Sequence, residues 1–336
     1  MTRRFANRGC RQPGSRQCEH LGFRQGPASR PGYPGWVTAL VRVCSDDDFT
    51  AWVDITNTVV PNERTTVAKI RAAEEPGRLL LLAESRGVPV GCGIAAPSSL
   101  AGRAFIAVRV LPDHRRNGVG SVLAAALIDH ARALGLTGVN SFVYADEPYS
   151  IAFVRWLGLA EVDYQLEQIR VISDEPAPQV PAGIELVALA SRREELLEAV
   201  WPLAQQGYAD MPLPGEAVFT LGKWLREEAT CPQGSFIALE GGEPVGYAGL
   251  LVHADGPAVA EHGLTVVRRD RRGRGIARML KQSQMHYAAS SHIARLITWT
   301  QQGNEAMQAL NRSLGYTDSC KVITYQGPLL AVGEKS

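Results

Sequence analysis

VRVLPDHRRNGVG (108–120) and TVVRRDRRGRGIA (265–277) are one segment written twice. Each follows an apolar β-branched run, ends in Arg-x-x-Gly-x-Gly/Ala and opens an apolar pattern of helical spacing. A strand, a glycine loop and a helix start in this order suit a pyrophosphate. Glycine lets the backbone come close to the anion, successive N–H groups point at it, and the helix N-terminus adds positive partial charge.

The repetition runs well beyond the loops. Gly118 and Gly275 are 157 residues apart, and so are the Leu157-Gly158 and Leu314-Gly315 pairs. Pro89–Gly91 recurs as Pro244–Gly246, at an offset of 155. Three landmarks in one order with nearly one offset predict a tandem duplication of a domain-sized unit, far longer than the ~20–50-residue units of solenoids.

Working outward, 336 residues accommodate two such units. Hydrophobic residues make up 45% and charged residues 21%, the balance of a soluble globular protein. A net charge of +1 gives no electrostatic case for nucleic acid or a membrane surface as a partner. No apolar run approaches the ~20 residues that span a bilayer. The six cysteines contain no CxxC pair, which fits free thiols and a cytoplasmic setting better than a disulfide framework. Residues 1–36 carry seven arginines and one acid, Glu19, with no apolar periodicity, and they read as a disordered extension. A targeting peptide or a nucleic-acid-binding arm are the functional alternatives there. Cys10, Cys18 and His20 lack a fourth ligand and regular spacing, so no metal is expected.

Each copy reads in one order. A first helix follows an N-cap serine, Ser45 or Ser191, and a second covers Arg64–Ala73 or Ala217–Glu228. A hairpin follows, Leu79–Glu84 with Val88–Ala95, or Ser235–Glu240 with Pro244–Val252. Then come the strand before the loop, the helix after it, a strand (Gly138–Tyr144 or Arg295–Thr300), a short helix ending at Leu-Gly, and a last strand. The proline-rich stretch 173–182 reads as a linker. The expected organisation is an extension (1–36), an N-terminal lobe (37–172), the linker, and a C-terminal lobe (183–332).

This order, with Arg-x-x-Gly-x-Gly/Ala between strand and helix, resembles the GNAT superfamily of acyl-CoA N-acyltransferases. The first loop is very close to that signature, including Pro112, whereas the second has Arg269 where proline is usual. The segment from Asn304 through Asn311 to Tyr316 looks like the second signature of the superfamily. Two-lobed members of the mycothiol synthase type have this length and layout. The resemblance implies an α/β (α+β) protein of two tandem GNAT folds. Each would be a twisted, mostly antiparallel mixed sheet with a central split between parallel strands, flanked by helices. It implies acetyl-CoA as co-substrate, with no metal. The pantetheine arm would lie along Val266 and Val267 and near Asn304, and the pyrophosphate on Arg272, Gly273, Arg274, Gly275, Ile276 and Ala277. In the first copy the matching residues are Val110, Arg115, Arg116, Asn117, Gly118, Val119 and Gly120.

Acyl transfer to an amine needs a base for the ammonium proton and a proton for the leaving thiolate. Six positions before Val267 stands Glu261, where histone-acetyltransferase-like members carry a general base; six before Val110 stands Ala104. The C-terminal lobe is therefore the expected catalytic one. A solvated strand-end carboxylate is the plain alternative for Glu261, and His262 is the neighbouring candidate. Many members also carry a tyrosine before the Leu-Gly-aromatic end of the second signature; here Asn311 or a neighbour, and Val154, fill that place. In the loop after the first helix of the second copy, Asp210 could pair with a cationic amine, with Trp201, Tyr208 and Met211 lining a pocket.

The leading expectation is N-acetylation of a primary amine of a small molecule by a monomer or homodimer. A protein or peptide amine is the second reading, and a catalytically silent CoA-binding module the third. Neither loop has the Gly-Lys-Ser/Thr of a nucleotide-binding P-loop.

Overall fold

The computed structural model describes residues 39–62, 64–190, 193–252 and 258–330. The arginine-rich extension, the Cys10/Cys18/His20 grouping and the Ser191 cap lie outside these residues.

The first repeat contains β1 (Leu40–Val43), α1 (Phe49–Val59), α2 (Val67–Ala72), β2 (Leu79–Ser85) and β3 (Val88–Pro97). It continues with β4 (Arg103–Val110), α3 (Val119–Ala133), β5 (Gly138–Tyr144), α4 (Pro148–Trp156) and β6 (Ala160–Val171). The second repeats that order: β7 (Glu185–Ala188), α5 (Arg193–Ala209), α6 (Leu221–Glu227), β8 (Phe236–Glu240) and β9 (Glu243–Val252). Then follow β10 (Val259–Val267), α7 (Ile276–Ser290), β11 (Arg295–Gln301), α8 (Glu305–Ser313) and β12 (Thr317–Pro328).

Local chemistry explains the boundaries. Ser45 forms a capping box with Asp48 ahead of α1, and the Thr66 and Thr220 side chains cap α2 and α6. The two hairpins turn on residues with positive φ, Arg86-Gly87 and Gly241-Gly242, as two-residue loops between twisted strands require. The all-apolar start of β2, Leu79–Ala83, is buried throughout, because α3 covers one face of the sheet and α1 with α2 the other. In the second lobe α5 and α6 cover one face and α7 the other.

All twelve strands form one sheet, in the order β1-β2-β3-β4-β5-β12-β6-β11-β10-β9-β8-β7. The last strand of each repeat has crossed over. β12 pairs with β5 through Val322–Pro328, and β6 pairs with β11 through Gln165–Val171. The two exchanged strands pair with each other along most of their length. Away from the sheet, the α5–α6 loop is pinned to the β3–β4 loop. Ala101 N–H donates to Glu216 O at 2.9 Å and Val218 N–H to Ser99 O at 2.7 Å. The stretch 173–182 has no helix or strand but is tied down, since buried Glu175 accepts from Arg170 and its carbonyl meets His286. Among the described residues no helix is long and apolar enough to cross a membrane.

Candidate active site

Both glycine segments form the same cradle. A short 3-10 turn (Pro112–His114 or Arg269–Arg271) leads to an N-cap glycine, Gly118 or Gly275, each with φ of +81°. That left-handed conformation is cheap only for glycine. Arg115 Nε bonds back to Val110 O, and Arg272 Nε to Val267 O, each at 3.1 Å. A Cβ added at Gly273 or Gly275 would meet nothing within 4 Å, so the space over the second loop is open to a ligand.

The parallel strands next to each cradle part early. β10 pairs with β11 only over Val259–Glu261, and β4 with β5 only over Arg103–Phe105. Beyond these residues each lobe has a split whose strand edges lack a parallel partner strand. An open helix N-terminus beside an unpaired strand edge fits a ligand with a diphosphate and an extended, amide-bearing arm. In the second lobe Val266 and Val267 lie on β10 beyond the part paired with β11, and Ile276 and Ala277 open α7; in the first, Val110 ends β4, Arg116 and Asn117 lie in the loop, and Val119 and Gly120 open α3. Asn304 caps α8, its Oδ1 accepting from Met307 N–H at 3.4 Å.

The lobes differ in the strand itself. β4 pairs with β3 in unbroken register from Ala104 to Val110, whereas β10 shifts register against β9 between His262 and Thr265. This bulge adds one residue, so Gly263 and Leu264 both face α5 and α6. It also corrects the count from the glycine loop. Phe105 pairs with Asn140 as Glu261 pairs with Ile297, so the counterpart of Glu261 is Phe105, and Ala104 corresponds to Ala260. The N-terminal lobe carries no acid there under either count.

Glu261 lies on the α5/α6 face at the vertex of the split, where β10 and β11 still pair. A second carboxylate lies deeper on that face. Glu228, which ends α6, is 8% exposed, and its Oε1 accepts from the Tyr247 hydroxyl at 2.9 Å. It lies directly over the bulge: a Cβ at Gly249 or Gly263 would collide with that oxygen. Burial pushes Glu228 up to about 7, against the opposing hydrogen bonds from Tyr247 and the Leu264 N–H. The residue count from the loop does not reach Glu228, which is 47 positions before Gly275. The available signal was Gly249 and Gly263 inside strands, where glycine marks close approach of another group.

A cavity of about 380 Å³ opens beside this face, lined by Trp201, Tyr208, Met211 and Phe219 among others. Tyr208 is stacked on Phe219 at 3.8 Å between ring centroids. Asp210 does not line this cavity. Its carboxylate pairs with Arg269 and Arg272 in the cradle, and the hydrogen bond from Arg269, with Arg272 in support, holds it down to about 2. The Arg269 N–H donates to Gln206 Oε1 at 3.1 Å, a bond that the usual proline could not make.

On the opposite, α7 face, His262 bonds Gln284 (2.7 Å) and the Tyr316 hydroxyl (2.5 Å). Burial holds its pKa well below the usual imidazole value, so His262 is a neutral, fully partnered core residue. Asn311 is fully buried and donates to Gln168 Oε1 at 2.8 Å, so the tyrosine place of the second signature holds an amide.

Two strand–cradle–helix units of the same element order in one sheet define a duplicated acyltransferase fold. The profile of the Acetyltransferase (GNAT) family matches residues 46–159 and 195–316, one match per repeat. The chain belongs to that family and is an N-acetyltransferase by class. It is 27% identical over 263 residues to the mycothiol acetyltransferase of Thermobispora bispora, covering 76% of this chain and 85% of that one. The mycothiol acetyltransferase of Thermomonospora curvata is 26% identical, with 80% and 88% covered. Among solved structures, a GCN5-related N-acetyltransferase from Sphaerobacter thermophilus aligns with a TM-score of 0.72 at 17% identity, covering 87% of this chain and 96% of its own. A tandem GNAT protein from the clavulanic acid biosynthesis pathway aligns at 0.69 and 20%, covering 87% and 99%. At those identities the structures speak for the fold.

Proposed function

We propose that the chain transfers the acetyl group of acetyl-CoA to a primary amine of a small molecule, and that this happens in the C-terminal lobe. The N-terminal lobe (37–172) keeps the cradle without turnover. One observation carries the assignment: among the described residues, only the second split combines a bulged strand with carboxylates on its acceptor face. The small-molecule reading draws support from the aromatic cavity and from the likeness to mycothiol acetyltransferases.

In this reading the N-terminal N–H groups of α7 and the loop residues Arg272–Ala277 hold the diphosphate. The free edge of β10 at Val266 and Val267 pairs with the pantetheine amides, with Asn304 beside it. The bound thioester supplies the electrophilic carbonyl. The acceptor enters through the cavity past Trp201 and Tyr208, while Asp210 orders the cradle. A carboxylate of the shared face takes the ammonium proton; Glu261 is the one the sequence singles out. Asn311 has no ionisable proton, so the thiolate takes its proton from water.

Release of free thiol from acetyl-CoA against a panel of small amines tests the proposal. Turnover with a small amine is expected. Turnover with peptide amines alone would change the acceptor class, and CoA binding without turnover on any amine would leave a silent binding module.

A further inference from the structure

We infer that Glu228, seated on the β10 bulge and bonded by Tyr247, is the group that accepts the proton of the acceptor ammonium. The inference rests on acetyl transfer in the C-terminal lobe as proposed above, and it assigns the base to a residue outside the strand. The geometry separates the two carboxylates of this face. Glu261 stands where β10 is still paired with β11, whereas Glu228 lies over Gly263 and Leu264, where the split begins. Nucleophile and base must meet within hydrogen-bond reach of the reacting carbon, directly or through one water. The bulge end of the split is where an arm paired along Val266 and Val267 would present its thioester.

The carboxylate is built in rather than stranded. The Tyr247 hydroxyl and the Leu264 and Ala229 N–H groups occupy three of its roughly four acceptor positions, leaving one for an ammonium or a bridging water. No side-chain cation among the described residues bonds its carboxylate, although the nearby Arg193 charge favours the ionised form. Arg193 approaches from the start of α5 but donates to the backbone carbonyls of Glu228 and Ala229. Tyr247 on β9 and Tyr208 on α5 are the facing phenols, both held neutral by burial, and Glu261 shares the face. The Trp201 and Trp224 rings meet tilted at 5.4 Å, and Trp224 and Tyr247 at 5.7 Å, so a run of aromatic contacts links the acceptor cavity to the carboxylate. With its pKa lifted to about 7 by burial, the group is poised to accept a proton near neutrality.

The proton balance is simple. Glu228 removes one proton from the ammonium, and the freed amine nitrogen attacks the thioester carbonyl carbon. The C–S bond breaks, the second nitrogen proton passes through water to the departing thiolate, and Glu228 returns its proton to solvent. The products are the amide, CoA thiol and one proton.

The test is the pH dependence of kcat/KM for the full chain, with acetyl-CoA and an amine the wild type turns over. Wild type should lose rate as pH falls through about 7, as Glu228 protonates. Glu228→Gln should lower kcat/KM by roughly 10²-fold or more and abolish that limb, while Glu261→Gln retains it. Tyr247→Phe keeps the carboxylate but removes a hydrogen bond favouring its charged form, so the limb should move to higher pH. The inference is overturned if Glu228→Gln keeps the limb, if Glu261→Gln alone abolishes it, or if Tyr247→Phe leaves it in place. Should Glu228→Gln fail to fold, Tyr247→Phe decides. Absence of wild-type turnover on every amine would instead defeat the broader reading.

Discussion

The two lobes carry the same cradle on different interiors. On the α7 face of the second lobe, His262, Gln284, Tyr316 and Lys281 form a buried polar cluster. Strand register and the 157-residue offset place Ile106, Leu127, Leu159 and Ala124 at the corresponding positions of the first lobe, all of them buried. On the other face, Tyr247 and Gly249 correspond to Cys92 and Ile94, so an isoleucine side chain stands where Glu228 has its clearance. Burying polar groups costs stability unless they are bonded, and even then gains little over apolar packing. The second lobe keeps such groups at these positions, where the first packs apolar side chains. At these positions the first lobe is the more apolar, and on the function proposed above the second is the reaction centre.

The strongest way to break this comparison is to strike both cradles alike. Gly275→Glu sets a carboxylate against the diphosphate, and like charges so placed cost several kcal/mol, or about 10³-fold in kcat/KM. Gly118→Glu forces the same left-handed N-cap and should cost about 1–3 kcal/mol of stability, with kcat retained. Thiol-release kinetics and thermal melts read the two outcomes. If Gly118→Glu removes turnover and Gly275→Glu does not, the lobes have been assigned the wrong way round.

The sequence disclosed the repeat, the hairpins and both cradles because each is written locally, in glycines at fixed offsets and in short apolar runs. What it hid is long-range. A one-residue bulge is invisible when positions are counted from the loop, and so Ala104 stood in for Phe105. The crossing of β6 and β12 depends on which strand edges meet, and nothing in Ala160–Val171 or Thr317–Pro328 spells that out. Glu228 reaches the site from the end of α6, through space left by two glycines. Arg269 was legible as a departure from proline, but its use, tying the cradle to Gln206 and Asp210, needed the fold.

Lys281 sharpens the contrast between interiors. It is 1% exposed on α7, and burial alone holds its pKa at about 7, with no carboxylate among the described residues offsetting it. The folded pKa lies below the unfolded value of 10.5, so the unfolded chain binds more protons between pH 7 and 10.5. Stability is therefore lost as pH falls through that window. Lys281→Met should stabilise the protein by a few kcal/mol at pH 7 and below, taking ~1.4 kcal/mol per pKa unit. The gain should vanish as pH approaches 10.5. Chemical denaturation at several pH values checks this, and a gain that does not vary with pH would show that the amine is not the cause.

The smallest expected effect lies in the first lobe, at a cationic side chain where the second lobe has a valine. Arg109 stands on β4 with its guanidinium 5.6 Å from the Trp52 ring. Its Nε and Nη1 are buried and meet no acceptor among the described residues. Its counterpart in the second lobe by the 157-residue offset is Val266, a core residue packed against Gly207 of α5. An unsatisfied buried donor costs about 1–3 kcal/mol, and the cation–π contact returns about 0.5–2. Arg109→Met keeps the length of the side chain and sheds the orphan donors, so it should raise the melting temperature by roughly 2–4 °C per kcal/mol recovered. A fall in melting temperature would mean that the ring contact outweighs the unpaired N–H groups. The first lobe would then depend on a buried cation for its stability, and the division between scaffold and reaction centre would rest on the acceptor face alone.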